Sequence, residues 1–218
     1  MIAVSLAGFA PSIIDPSRRL APLTVLVEVH SILLCLWLLL FLLQTTLIAG
    51  RRVDLHRRMG IVAVVLMTVL VPLSYAVTVQ MVRRGFDLSG DQGIKTDPLF
   101  GCIFNLVVLV EFALLGGIGL VYRKKKDIHK RFMLFATLSL MEASITHLLG
   151  RLGIFSPAPL LLGFAILYLS GVAWDYTTTR RVHPLTATLA IGLFLVNPIA
   201  ATVGTTAVWH HFAAWLTR

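Results

Sequence analysis

With Arg151 and Asp175 set aside at the ends of their runs, five ionisable side chains interrupt apolar stretches of this 218-residue chain: Glu28, His30, Glu111, Glu142 and His147. A charge at the centre of a membrane helix costs roughly 2.5–3.5 kcal/mol, so each marks a place where a partner or a function holds it. His30 and His147 form the one histidine pair within these stretches. A b-type haem held by two histidines needs neutral imidazoles on facing helices at similar depth. A rise of about 1.5 Å per residue puts the two about 30 and 25 Å from the same membrane side. The alternative is that each imidazole hydrogen-bonds inside the protein or meets water near the surface. Glu111 lies twelve residues before Arg123, and Glu142 lies twelve after Lys130. Both carboxyls therefore fall about 18 Å in, where they can face each other and share a proton. A metal centre from Glu111, Glu142 and His147 is conceivable, but the Glu-x-x-His spacing of di-iron bundles is missing.

His30, Trp37 and Gln44 recur every seven residues, which keeps them on one helix face as a polar-aromatic stripe. Glu28, two residues from His30, points elsewhere. Asn105 joins Gln44, Glu111 and Glu142 as a residue that would line a cavity. Cys35 and Cys102 lie inside apolar runs without metal-ligand spacing and are expected as small buried side chains. Gly116, Gly117 and Gly119 permit close helix packing. Signatures of hydrolysis and phosphoryl transfer are missing: the chain contains neither Gly-x-Ser-x-Gly nor His-Glu-x-x-His, nor a phosphate-binding glycine loop.

These residues must be positioned by helices. The chain is 57% hydrophobic and 13% charged, whereas a soluble domain carries about 25% charged residues. Too little polar material remains to cover a solvated surface, which excludes a soluble enzyme, a disordered tail and a secreted disulfide scaffold. Six runs reach the roughly 20 apolar residues a bilayer crossing takes: 22–49, 59–82, 99–122, 132–152, 157–176 and 185–208. With no water in hydrocarbon, every backbone amide needs an internal partner, so the runs must be helices. The expected fold is all-α, a polytopic membrane protein of six transmembrane helices arranged as three hairpins. Residues 1–21 read as an N-terminal tail lying in the interface and 22–218 as the transmembrane domain.

The formal charge is +9. The bases cluster between the apolar runs, which points to topogenic charge facing anionic lipid headgroups and not to nucleic acid. Twelve follow runs one, three and five, against seven on the other side, so the positive-inside rule puts both termini outside the cytoplasm. Trp209 and Trp215 fit an aromatic belt at the outer interface, and His210 and His211 read as solvated.

The hairpins repeat. Asp54-Leu55-His56-Arg57-Arg58-Met59 before run two is matched in kind, 73 residues on, by Asp127-Ile128-His129-Lys130-Arg131-Phe132 before run four. Arg180-Arg181-Val182-His183-Pro184 before run six echoes Arg51-Arg52 more weakly. Asp54 and Asp127 are expected to cap helices two and four. The basic turns, through Arg52, His56, Arg57, His129, Lys130, Arg131, Arg181 and His183, form a cationic face for an anion or a lipid headgroup. Pro72 and Pro198 sit at matching depths and free carbonyls near Ser74 and Asn197.

The string His30-x6-Trp37-x6-Gln44, with Asp54-Leu-His56-Arg-Arg-Met-Gly60, His129-Lys-Arg-Phe-Met133-Leu-Phe-Ala-Thr137 and Arg180-Arg-Val-His183-Pro184, resembles a family of small six-span bacterial membrane proteins. The resemblance covers about His30 to Pro184. It implies a bacterial cytoplasmic (inner) membrane and no established activity. Members of that family tend to carry Arg near the place of His147, which speaks against a haem pair as a family property. The expected function is to bind or move a small molecule or lipid among the helices. The alternative is a redox protein holding haem b or a metal through His30 and His147 and exchanging electrons with a quinone.

Overall fold

The computed structural model describes residues 1–15, 22–85, 97–154 and 156–218. Arg18, Arg19 and Lys95, counted for the orientation, lie outside them. The described residues form eight helices: α1 (Ile2–Ile14), α2 (Val25–Ala49), α3 (Val53–Arg84), α4 (Pro98–Val121), α5 (Lys126–Arg151), α6 (Pro157–Thr179), α7 (Pro184–Gly204) and α8 (Ala207–Leu216). α2 to α7 are each long and apolar enough to cross a membrane. The protein is a multi-pass, all-helical membrane protein, as the lengths of the apolar runs predict.

Local chemistry sets the helix ends. Proline occupies the first turn of α4, α6 and α7, where its missing N–H has no partner to lose. Thr24, Asp97 and Thr206 side chains accept from backbone N–H groups of the first turns of α2, α4 and α8. The basic turns depart from expectation. α3 and α5 begin at Val53 and Lys126, about six residues before the apolar runs. Nothing in Asp-Leu-His-Arg-Arg or Asp-Ile-His-Lys-Arg breaks a helix, so the turns wind on into the basic segment. Asp54 and Asp127 are therefore not caps. They lie inside the first turn, where the helix dipole favours a carboxylate, and Asp127 pairs with Lys130 at 2.8 Å. His183 takes the capping role on α7, its Nδ1 accepting from Leu185 N at 3.1 Å.

The weak third repeat has a backbone counterpart. Arg51, after α2, and Arg180, after α6, are the two non-glycine residues with positive φ among those described, at 58° and 56°. Both first arginines of an Arg-Arg-Val turn thus take the left-handed conformation that reverses the chain.

The chain divides into two compact units, Leu23–Val77, and Met1–Pro22 with Thr78–Arg218. In the first, α2 and the greater part of α3 follow each other through the Gly50–Arg52 turn. α2 buries Trp37, Leu40 and Leu47, and α3 buries Ala63, Met67 and Leu70.

In the second unit α4 packs on α5, α6 on α7, and both pairs on one another, with α5 against α6 and α4 against α7. Buried positions follow heptad steps: Phe164, Tyr168, Gly171 and Asp175 on α6, and Thr186, Ala190, Leu193, Asn197, Ala200 and Gly204 on α7. Small residues set the approach. A methyl added at Gly119 would stand 2.9 Å from Met133 Sδ, and one at Gly171 would stand 3.0 Å from Phe135 Cζ. Gly117 meets nothing within 4 Å, so its expected packing role falls to Gly119.

Residues 2–14, expected within a tail, form α1, packed along α5. A methyl on Gly8 would lie 2.7 Å from the Ser144 carbonyl oxygen, so only glycine fits the contact. Arg151 Nε donates to the Gly8 carbonyl at 2.6 Å, and Ser5 and Ser144 hydroxyls meet at 3.0 Å. The last apolar run also ends early. α7 stops at Gly204, and α8 forms a separate short helix whose Trp209 Nε1 donates to the Leu99 carbonyl at 2.7 Å. His210, expected in solvent, instead donates from Nε2 to Gly204 O at 3.0 Å, with its Nδ1 3.5 Å from Asp97 Oδ2. Only His211 is exposed as expected.

Candidate functional site

Two buried polar layers cross the α5–α6–α7 core. Their members are spaced seven residues apart on α6 and eleven on α5 and α7. Both spacings return to one helix face, and eleven residues amount to about 16 Å along an axis.

The layer at the basic turns joins Arg131, Asp175 and Thr186, all buried. Arg131 donates from Nη2 to Asp175 Oδ1 at 2.7 Å and from Nε to Thr186 Oγ1 at 2.8 Å. The Thr186 hydroxyl donates to Asp175 Oδ2 at 2.7 Å, and His183 N donates to the same oxygen at 2.9 Å. Each charge thus has a counter-charge and further hydrogen bonds, the condition under which a buried ion pair is tolerated. His129 closes the adjacent end of α4. Its Nδ1 donates to the Gly119 carbonyl at 2.8 Å, one of the last-turn carbonyls a helix leaves unmatched.

Deeper in, Glu142 on α5 is 4% exposed. Its Oε1 accepts from the Tyr168 hydroxyl and from Asn197 Nδ2, the latter at 2.8 Å. Glu111 on α4 is also buried, close enough for the two carboxyls to feel each other's charge. Neither Glu111 oxygen receives a hydrogen bond from the described residues. Phe135 stacks on Tyr168 with ring centroids 6.3 Å apart, between the two layers. The arrangement can hold a proton on a carboxyl, or offer two free acceptor oxygens to a donor that enters.

The structure brings together Glu111 and Glu142 from the residues singled out by sequence. Asn105 is half-buried on α4, its Nδ2 3.9 Å from Met81 Sδ. The remaining candidates scatter. His147 lies in the same unit but packs its ring on Phe9 of α1, centroids 4.2 Å apart. His30, Trp37 and Gln44 belong to the other unit, where they do share the inward face of α2: Trp37 is buried and its two companions half-buried. His30 Nδ1 lies 3.5 Å from the Ser74 hydroxyl, at the limit of hydrogen bonding. Gln44 Oε1 is buried without a partner among the described residues. Glu28 is exposed, on another face as its spacing requires. Cys102 is buried as expected, and Cys35 is exposed. Of the basic-turn candidates, Arg131 is buried and committed to Asp175. His56, His129 and His183 are half-buried, and Arg52, Arg57, Lys130 and Arg181 are exposed.

Among the described residues no three His, Cys, Asp or Glu side chains gather so as to hold a metal ion. The grouping of Glu111, Glu142 and His147 therefore finds no support. Tyr168, Asn197, Asp175 and Thr186 were not read as site residues. Their signal is in the sequence: each is a polar side chain falling seven or eleven residues from another on one face. No family model, no curated protein and no solved structure matches the chain.

Proposed function

We propose that the protein binds and moves a small molecule among its membrane helices, with a proton on the Glu111–Glu142 pair as part of the cycle. The observation that carries this is Glu111: a buried carboxyl whose two oxygens accept from none of the described residues, beside a second carboxyl held by Tyr168 and Asn197. Two neighbouring carboxyls in a donor-poor interior do not both stay charged, so they exchange a proton with whatever fills the site. Intramembrane carboxyls commonly mark proton relays and substrate paths. The test is a set of vesicles containing a pH-sensitive dye and the purified protein, challenged with a panel of small cationic and neutral solutes. At least one solute is expected to change internal pH in wild type and to do so at least ten-fold more slowly in Glu111→Gln. A panel that shifts no proton, or a Soret band in the purified protein, overturns the proposal, the latter in favour of haem at His30 or His147.

We place the basic turns in the cytoplasm of a bacterial inner membrane and both termini outside, on the weight of Lys and Arg. An alkaline-phosphatase reporter after Arg218 should be active and one after Lys125 silent. The opposite pattern reverses the orientation.

A further inference from the structure

The two full copies of the basic turn, matched residue for residue in sequence, differ in what their arginines do. In the α4–α5 copy Arg131 is buried against Asp175 and Thr186, and Lys130 is paired with Asp127. Arg58 is its counterpart in the α2–α3 copy. It is exposed, and no hydrogen bond or ion pair engages its side chain, nor those of Arg51 and Arg52, among the described residues. Instead these three arginines, with Val53, Asp54 and Leu55, line an open cleft of about 380 Å³.

A second cleft, of about 440 Å³, runs along the same hairpin between Leu33–Leu43 of α2 and Met59–Val69 of α3, lined only by aliphatic side chains and Met59. Leu55 lines the basic cleft, and Met59, Val62, Leu66 and Val69 line the apolar one. Their spacing of four, three, four and three residues puts them on one face of α3, so the two clefts lie in line along that face. From Met59 to Val69 the apolar part is about 15 Å long, half the roughly 30 Å hydrocarbon thickness and so the depth of one leaflet.

We infer that the α2–α3 hairpin is a binding site for an anionic phospholipid, its phosphate held by Arg51, Arg52 and Arg58 and an acyl chain lying in the aliphatic cleft. The charge selects the occupant. Three guanidiniums that pair with none of the described residues, beside a single carboxylate, fit an anionic headgroup and its forked oxygens. A second copy of this chain fits poorly: two copies inserted alike in one membrane and joined through this face would set equal basic clefts side by side. The site shares no residue with the Glu111 site and survives the failure of that proposal.

The test uses the full chain in nanodiscs of phosphatidylcholine and phosphatidylglycerol, with retained lipid counted by native mass spectrometry. Wild type should retain phosphatidylglycerol at least ten-fold over its share of the disc. The triple change Arg51→Gln, Arg52→Gln and Arg58→Gln should bring retention to that share, and Val62→Trp, which fills the apolar cleft, should lower it with the arginines intact. Millimolar inorganic phosphate should leave the lipid in place. Displacement by phosphate assigns the cleft to free anions, and an unchanged Val62→Trp assigns it to surface charge alone; either overturns the lipid site. Phosphatidylglycerol with a photoreactive acyl chain needs no variant. It should label the wild type between Leu33–Leu43 or Met59–Val69, and labelling spread evenly over the six membrane helices overturns the proposal. A partner protein captured in place of lipid does the same.

Discussion

Asp175→Ala is expected to cost about 3–5 kcal/mol of stability, the range for breaking a buried ion pair by removing one partner. Asp175 accepts from Arg131, from Thr186 and from His183 N, so alanine leaves three donors unmatched. The largest share comes from Arg131, a guanidinium only 5% exposed that keeps its charge with the exposed Asp127 carboxylate, 3.5 Å from its Nη1, as the remaining counter-charge. The measurement is reversible unfolding in mixed micelles, by circular dichroism against mole fraction of denaturing detergent. The double change Arg131→Met with Asp175→Leu should recover most of the loss, since an apolar pair of similar volume needs no counter-charge. A single variant as stable as wild type would mean that water or lipid headgroups reach Arg131 freely.

Glu142→Leu should cost about 2–3 kcal/mol. It strands the Tyr168 hydroxyl and the Asn197 amide, each a buried donor worth about 1–3 kcal/mol when left without an acceptor. Interhelical hydrogen bonds in membranes sit near the low end of such ranges, which sets the figure. Glu142→Gln retains a carbonyl oxygen at the same place and should cost under about 1 kcal/mol by the same unfolding measurement. Equal losses for the two would show that volume, not the hydrogen bonds, governs the position.

The helices were legible because apolar length alone decides them: a run of more than twenty apolar residues has one stable form in hydrocarbon. Glu111 and Glu142 were legible for a related reason, since a carboxyl in such a run is conspicuous and equal distances from the two ends of one basic turn set equal depth. Their partners were not. Tyr168 and Asn197 carry no charge, and an uncharged polar residue in an apolar run does not stand out until a neighbouring helix is known. Asp175 was set aside as a helix-end residue, yet its position on the same face as Tyr168 buries it. The caps were misplaced because the basic segments look like loops by charge and behave as helix by propensity. α1 was missed as a packed element because its 13 residues are too short to cross a membrane, and its fit rests on Gly8 meeting a carbonyl far along the chain.

That last contact has a consequence for biosynthesis. Ser5 and its partner Ser144 are 139 residues apart, and at about 5–20 residues per second the ribosome makes α1 roughly 7–28 s before its seat on α5 exists. Throughout that interval the nascent α1 has no glycine-sized groove to occupy and must wait at the membrane surface or in the translocation machinery. Its docking thus waits until α5 has been made, and a chain arrested after α4 would carry an α1 with nowhere to go.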